Sequence, residues 1–141
     1  MTDDLVSALE RLVMGSVAIT ARAIAAADAE LSFIQWRVLL VVGEKDGGAS
    51  VGEIANRIGA HASPTSRVVS RLKRRGLLRT EKDEVDGRVV RVRLTNAGRE
   101  LRLRVMQRRR RELAYCLEVL SLTPAEARAV ARLATSFEPF T

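Results

Sequence analysis

Aromatic residues make up only 4% of this 141-residue chain, which has one cysteine, one histidine and three prolines. Each scarcity narrows the field. Cys116 alone cannot form an intrachain disulfide. His61 has no second histidine and no cysteine near it, so neither a metal site nor any other cofactor is called for. That histidine and cysteine lie far apart, and the chain has no glycine-rich phosphate loop and no nucleophile elbow, so an enzyme is not expected. No apolar run approaches the roughly 18–20 residues of a membrane span. The opening MTDDLVSALERL lacks the basic start and apolar stretch of a signal peptide, and a cytoplasmic location is the expectation.

What is present is apolar material and basic charge. Hydrophobic residues form 47% of the chain, enough for the core of one domain or two small lobes. The formal charge is +7, unevenly placed. From His61 to Arg111 there are 17 Lys and Arg against 5 Asp and Glu, a balance of +12, while the remainder carries −5. Charge of one sign gathered in a contiguous third of a chain marks a polyanion partner. A surface charged only for solubility would mix both signs.

Periodicity predicts a mainly α fold with one small β-hairpin. Leu5, Leu9, Leu12, Ser16, Ile19 and Ala23 recur at three- and four-residue steps, predicting a helix from Leu5 to Ala27. Ser32 with Gln35, and Ser50 with Glu53, are capping-box pairs opening FIQWRVLLVV and the short VGEIANRIG. The first of these helices is apolar nearly all round, so it should be central. Ser63 followed by Pro64 signals the start of a basic helix that should stop at Gly76. Leu77 to Lys82 and Arg88 to Leu94 then alternate as strands, with DEVDG as the turn. Thr95 should cap a long helix from about Asn96 to Leu120, carrying Leu101, Val105, Leu113 and Leu117 as apolar positions. Thr123 and Glu126 form a further capping box before a last helix to about Phe137.

Two short helices joined tightly, the second basic, and then a hairpin make a winged helix-turn-helix. On SPTSRVVSRLKRRG, Thr65, Val68, Val69 and Leu72 fall on one side, and Ser66, Arg67, Ser70, Arg71 and Arg74 on the other. Short hydroxyls and guanidinium groups are what a major-groove reader needs, because arginine bonds the O6 and N7 of guanine bidentately. The expected base- and phosphate-contacting set is Ser63, Pro64, Thr65, Ser66, Arg67, Ser70, Arg71 and Arg74. The hairpin should add Asp86, Arg88 and Arg91, with Arg88 reaching a neighbouring minor groove whose narrow form concentrates negative potential. Asp86 either orients the Arg88 guanidinium, or makes the turn, or does both. His61 either contacts a phosphate or ends the helix turn.

From Ser32 to Leu101 the chain resembles the MarR (multiple antibiotic resistance regulator) family of winged-helix regulators. The likeness rests on LSFIQWRVL, SVGEIANRIG, SRVVSRLKRRGLL and, most specifically, DEVDGRVVRVRLTNAGREL. Asp83, Asp86, Arg88, Leu94, Thr95 and Gly98 match the family's wing signature. Glu84 stands where proline is common, and Gly87 where a first arginine usually precedes Arg88. The resemblance implies a homodimer, with residues 1–30 and 96–141 as the dimerisation region and 31–95 as the DNA-binding region. It also implies a repressor at a pseudo-palindromic operator, released when a small aromatic anion enters a cleft that Trp36, Arg37 and Arg108 would line. The redox-sensing branch of the family has its cysteine near the start of the first long helix, so Cys116, late in the fifth, is expected to be a buried inert thiol. Alternatives are a ligand-insensitive architectural DNA binder and a winged-helix RNA-binding or adaptor protein. RNA readers tend to expose aromatics for base stacking, and the basic helix and hairpin have none; an adaptor would not need the local +12.

Overall fold

The computed structural model describes residues 1–137. Its elements are α1 (Thr2–Ala27), α2 (Phe33–Val42), α3 (Val51–Ile58), α4 (Ala62–Arg74), β1 (Leu78–Lys82), β2 (Val90–Leu94), α5 (Asn96–Leu120) and α6 (Pro124–Phe137). The fold is thus mainly helical with one antiparallel hairpin, paired from Leu78↔Leu94 to Lys82↔Val90. Both strands are shorter than their alternation predicts: β1 loses Leu77 at the base of the hairpin, and β2 loses Arg88 and Val89 beside the turn.

Local chemistry sets most helix ends. Ser32 accepts from the Gln35 amide and Gln35 returns the bond to the Ser32 amide; Ser50 and Glu53 do the same. Gly59 ends α3 in the left-handed region (φ 68°). Thr95 accepts from the Gly98 amide, and Thr123 and Glu126 bond reciprocally ahead of α6. Two starts differ from expectation. α1 begins at Thr2, with Asp3 and Asp4 in its first turn favouring the positive helix end. α4 begins at Ala62 with His61, not Ser63, at the N-cap, and no side chain caps it. The first amide to donate into that helix is Thr65, to His61 O at 3.2 Å. Pro64 therefore sits at the last position where a missing N–H loses no helical bond.

The core lies around α2, whose Trp36, Val38, Leu39 and Val42 are all buried. Ile54 and Ile58 from α3, Val69 and Leu72 from α4, Val92 and Leu94 from β2, and Leu101 and Val105 from α5 close around it. α1 adds Ala23 and Ile24, with the half-buried Ala27 packed beside them. A further pairing, invisible to periodicity, ties the α2–α3 loop to the hairpin: Ala49 N donates to Val92 O at 3.0 Å and Val92 N to Ala49 O at 2.8 Å. Gly48 makes this approach possible, since a Cβ there would lie 2.2 Å from Val92 O and its φ is +69°. Among the described residues no helix is long and apolar enough to cross a membrane, and no group of three or more His, Cys, Asp or Glu could hold a metal ion.

Candidate nucleic-acid interface

α4 is oriented by its neighbours before it offers anything outward. Thr65, Val69 and Leu72 are buried against the core. At its far end the Arg75 guanidinium pairs with the Asp28 carboxylate, linking α4 to the end of α1. Lys73 Nζ donates to Thr80 Oγ1 at 2.8 Å, holding β1 alongside. Arg37 donates to Ile58 O at 2.9 Å and Arg57 O at 3.3 Å, satisfying carbonyls at the negative end of α3. The helix-turn-helix is therefore braced from α1, α2 and the hairpin.

The outward face of α4 forms a shallow recess of about 390 Å³ lined by Ser63, Ser66, Arg67, Ser70, Arg71 and Arg74. These six recur at three- and four-residue steps, so one helix face brings them together. All are exposed. Among the described residues no carboxylate pairs with Arg67, Arg71 or Arg74, leaving three guanidinium forks open to an anion or a base edge. Pro64 and His61 are exposed at the same end. Thr65 departs from the expected set. It is 1% exposed, and its hydroxyl donates to His61 O at 2.8 Å. Its place on the buried stripe takes it away from any partner.

The hairpin turn is organised by its acids. Asp83 Oδ2 accepts from the amides of Asp86 (3.0 Å) and Val85 (3.2 Å), and Asp86 Oδ1 accepts from the Arg88 amide at 3.0 Å. Asp86 thus holds the backbone of Arg88, while the Arg88 guanidinium projects exposed and without a partner among the described residues. Turn-making, not side-chain pairing, is what Asp86 does here.

Arg91 differs from expectation more sharply. Its Nε donates to Asp83 Oδ1 at 3.1 Å and a terminal nitrogen to Glu53 Oε2 at 2.8 Å. The side chain turns back onto α3 and clamps the wing to the helix-turn-helix. The Asp86 amide, chiefly, with the Arg91 hydrogen bond holds the Asp83 carboxyl below its usual range. The Ser50 amide, aided by Arg91, does the same for Glu53, and the Asp83 hydrogen bond raises Arg91. Glu53 is the residue that sequence reasoning missed. Its capping role was legible three residues away, but its pairing with Arg91 spans 38 positions and carries no local signal.

The expected effector cleft does not form from its named residues in this chain. Trp36 is 1% exposed, with Arg109 over its ring at 5.9 Å. The Arg37 guanidinium is committed to α3, and Arg108 is exposed on α5. An aromatic on an all-round apolar helix went to the core. Cys116 is also corrected: it is exposed, because the second half of α5 packs on little of its own chain.

Comparison with known proteins agrees with the fold. The sequence profile described as "MarR family" matches residues 29–89. The HTH-type transcriptional repressor IacR of Pseudomonas putida is 34% identical over 104 residues, 74% of this chain but 60% of that repressor, so the likeness spans less than two thirds of its length. RV1404 from Mycobacterium tuberculosis superposes with a TM-score of 0.82 at 29% identity, over 97% of this chain and 91% of that one. BpsR of Bordetella bronchiseptica, whose DNA binding is regulated by 6-hydroxynicotinic acid, superposes with a TM-score of 0.68 at 27% identity, over 93% and 90%.

Proposed function

The chain belongs to the MarR family, and on that premise we propose that it is a dimeric, sequence-specific double-stranded DNA-binding repressor acting at a pseudo-palindromic operator. The observation that carries this reading is the recess on α4, built from three serines and three unpaired arginines with no acid among them. Arg67 and Arg71 read guanine edges, Ser63, Ser66 and Ser70 position the backbone or contact bases, and Arg74 binds phosphate. Arg88 enters the adjacent minor groove. Residues 31–95 form the DNA-binding region, and residues 1–30 and 96–141 the dimerisation region. Residues 138–141 of the latter lie outside the described ones. Exposed apolar side chains along α1 (Leu5, Leu12, Val13, Val17) and on α5 and α6 (Leu117, Leu120, Val130, Leu133) support that assignment.

Selection of bound genomic fragments with the purified protein tests the reading. An enriched inverted repeat is expected; featureless enrichment would favour an architectural DNA binder. On the selected duplex, Arg71→Ala should cost about 1–3 kcal/mol and relax base preference at one position of each half-site. Equal affinity and equal preference for the variant would remove the α4 face from recognition.

A second reading adds release by a small aromatic anion. The regulation of BpsR by 6-hydroxynicotinic acid supports it. Titrating the operator complex with a panel of salicylate-like anions decides it, and release by none of them would remove it.

A further inference from the structure

α1 ends on a carboxylate that is fixed before α4 reaches it. The Asp28 amide donates to Ile24 O at 2.8 Å, and its carbonyl accepts from the Leu31 amide at 3.1 Å. Asp28 Oδ1 accepts from the Glu30 amide at 2.9 Å, an Asx turn that leads the chain towards α2. Oδ2 is left over, and it accepts from Arg75 Nη2. Arg75 in turn closes α4, with its amide on Arg71 O at 3.1 Å. Gly76 (φ 72°) then turns the chain towards β1. Thr95, the cap of α5, donates its hydroxyl to Gly76 O at 2.6 Å and its amide to Leu77 O at 3.1 Å. The end of α4 is therefore gripped by the end of α1 and the start of α5.

The pair is half-buried, and Arg75 Nη1 is buried with no acceptor among the described residues. Such pairing adds little net stability, because lost hydration offsets much of the attraction; what it can supply is a fixed geometry. Other ion pairs stay on one side of the boundary between dimerisation helices and winged lobe. Arg22 and Glu112 join α1 to α5, while Arg91, Asp83 and Glu53 lie within the lobe. Asp28 to Arg75 crosses it. Position matters here because α4 is a lever. Ser63 lies twelve residues from Arg75, roughly 18 Å along the helix at about 1.5 Å per residue. A tilt of about 10° at Arg75 would carry Ser63 about 3 Å, close to the rise of one base pair.

We propose that the Asp28–Arg75 pair fixes the tilt of α4 against the dimerisation helices and so sets which separation of half-sites the dimer reads. Both are positioning residues: neither lines the α4 recess, and they act through the arginines that do. The inference rests on the dimeric DNA-binding reading above and adds to it the choice of operator spacing. A two-fold pair carries the same tilt on both sides, so a change in one is doubled across the operator.

The test varies the spacing of the selected inverted repeat and compares the parent with Asp28→Asn and Arg75→Gln. Asparagine keeps an acceptor for the Glu30 amide and removes the charge. Inserting one base pair moves the far half-site by about 3.4 Å and turns it by about 34°, so the parent should lose at least about tenfold in affinity. The variants should lose less than about threefold, while binding an isolated half-site as the parent does. A spin label at His61→Cys, in a Cys116→Ser background, gives a readout without DNA. The distance between the two labels should be narrowly distributed in the parent and clearly broader with Asp28→Asn. Variants that keep the parent's spacing preference or its distance distribution overturn this proposal alone. So does an equal loss on half-site and full repeat, which would make the pair structural. A parent with no spacing preference or no inter-label distance would instead overturn the dimeric reading, and the proposal with it.

Discussion

Arg88 and Arg91 stand three residues apart on the same arm, and their surroundings assign them different work. Arg88 has its backbone held by Asp86 and its guanidinium in solvent, whereas Arg91 is bonded to Asp83 and Glu53. Removing Arg88 should take away one cation from the DNA contact and nothing from the fold. Arg88→Ala is expected to weaken operator binding and lower the salt slope by about one, with unchanged thermal melting. Arg91→Ala should act through position instead, by releasing the hairpin from α3. Its signature is faster hydrogen exchange at the Val85 and Asp86 amides, which donate to Asp83; unchanged exchange there would refute the clamp. The clamp also has a pH dependence. Asp83 and Glu53 both titrate below their ordinary values when folded. Their contribution is therefore complete above the ordinary carboxylate range and is lost as pH falls through the lowered values. Protection of those two amides should hold at neutral pH and disappear on acidification before the helices melt.

Elements meet at glycines that the sequence alone does not distinguish from turn glycines. Gly98, in the first turn of α5, faces the junction of α4 and β1, and a Cβ there would sit 2.1 Å from Leu77 O. That neighbour is backbone and cannot swing aside, so Gly98→Ala should destabilise by about 1–3 kcal/mol through overpacking. Gly52, on the exposed side of α3, meets nothing closer than 3.9 Å, and Gly52→Ala should stabilise by roughly 0.5 kcal/mol by restricting the unfolded chain. Thermal melts of the two variants moving in the same direction would contradict this account. The contrast shows what was readable beforehand. Capping boxes at Ser32, Ser50 and Thr123 were legible because donor and acceptor lie three residues apart. The serine and arginine face of α4 was legible because helical periodicity alone puts it on one side. Bonds such as Arg75 to Asp28, Arg91 to Glu53 and the Ala49–Val92 bridge join positions 38 to 47 apart, and they exist only once helices have packed. Trp36 and Cys116 were misplaced for opposite reasons. The first lies on α2, against which α1, α3, α4, α5 and β2 all pack, and the second on a stretch of helix that its own chain leaves bare.

That bareness extends across the whole molecule. Leu5 and Leu12 are each 65% exposed and Val130 52%, on helices whose apolar stripes find little to cover them within the chain. Large exposed apolar surface is costly in water and is normally covered by a partner. A second copy is the partner that the dimer reading supplies: a two-fold axis would pair the same stripes and carry two α4 faces with one spacing. Joining them makes the second contact intramolecular, so modest half-site affinities multiply. Leu12→Glu places a charge on the α1 stripe and should shift the protein from dimer to monomer in sedimentation equilibrium, with the winged lobe still folded by amide shifts. Affinity for a full inverted repeat should then drop towards that for an isolated half-site, and the salt dependence should become shallower because fewer phosphates are neutralised. If the variant is monomeric yet binds the full repeat as tightly as the parent, the two faces do not act together. If it remains dimeric, the α1 stripe is not what joins them.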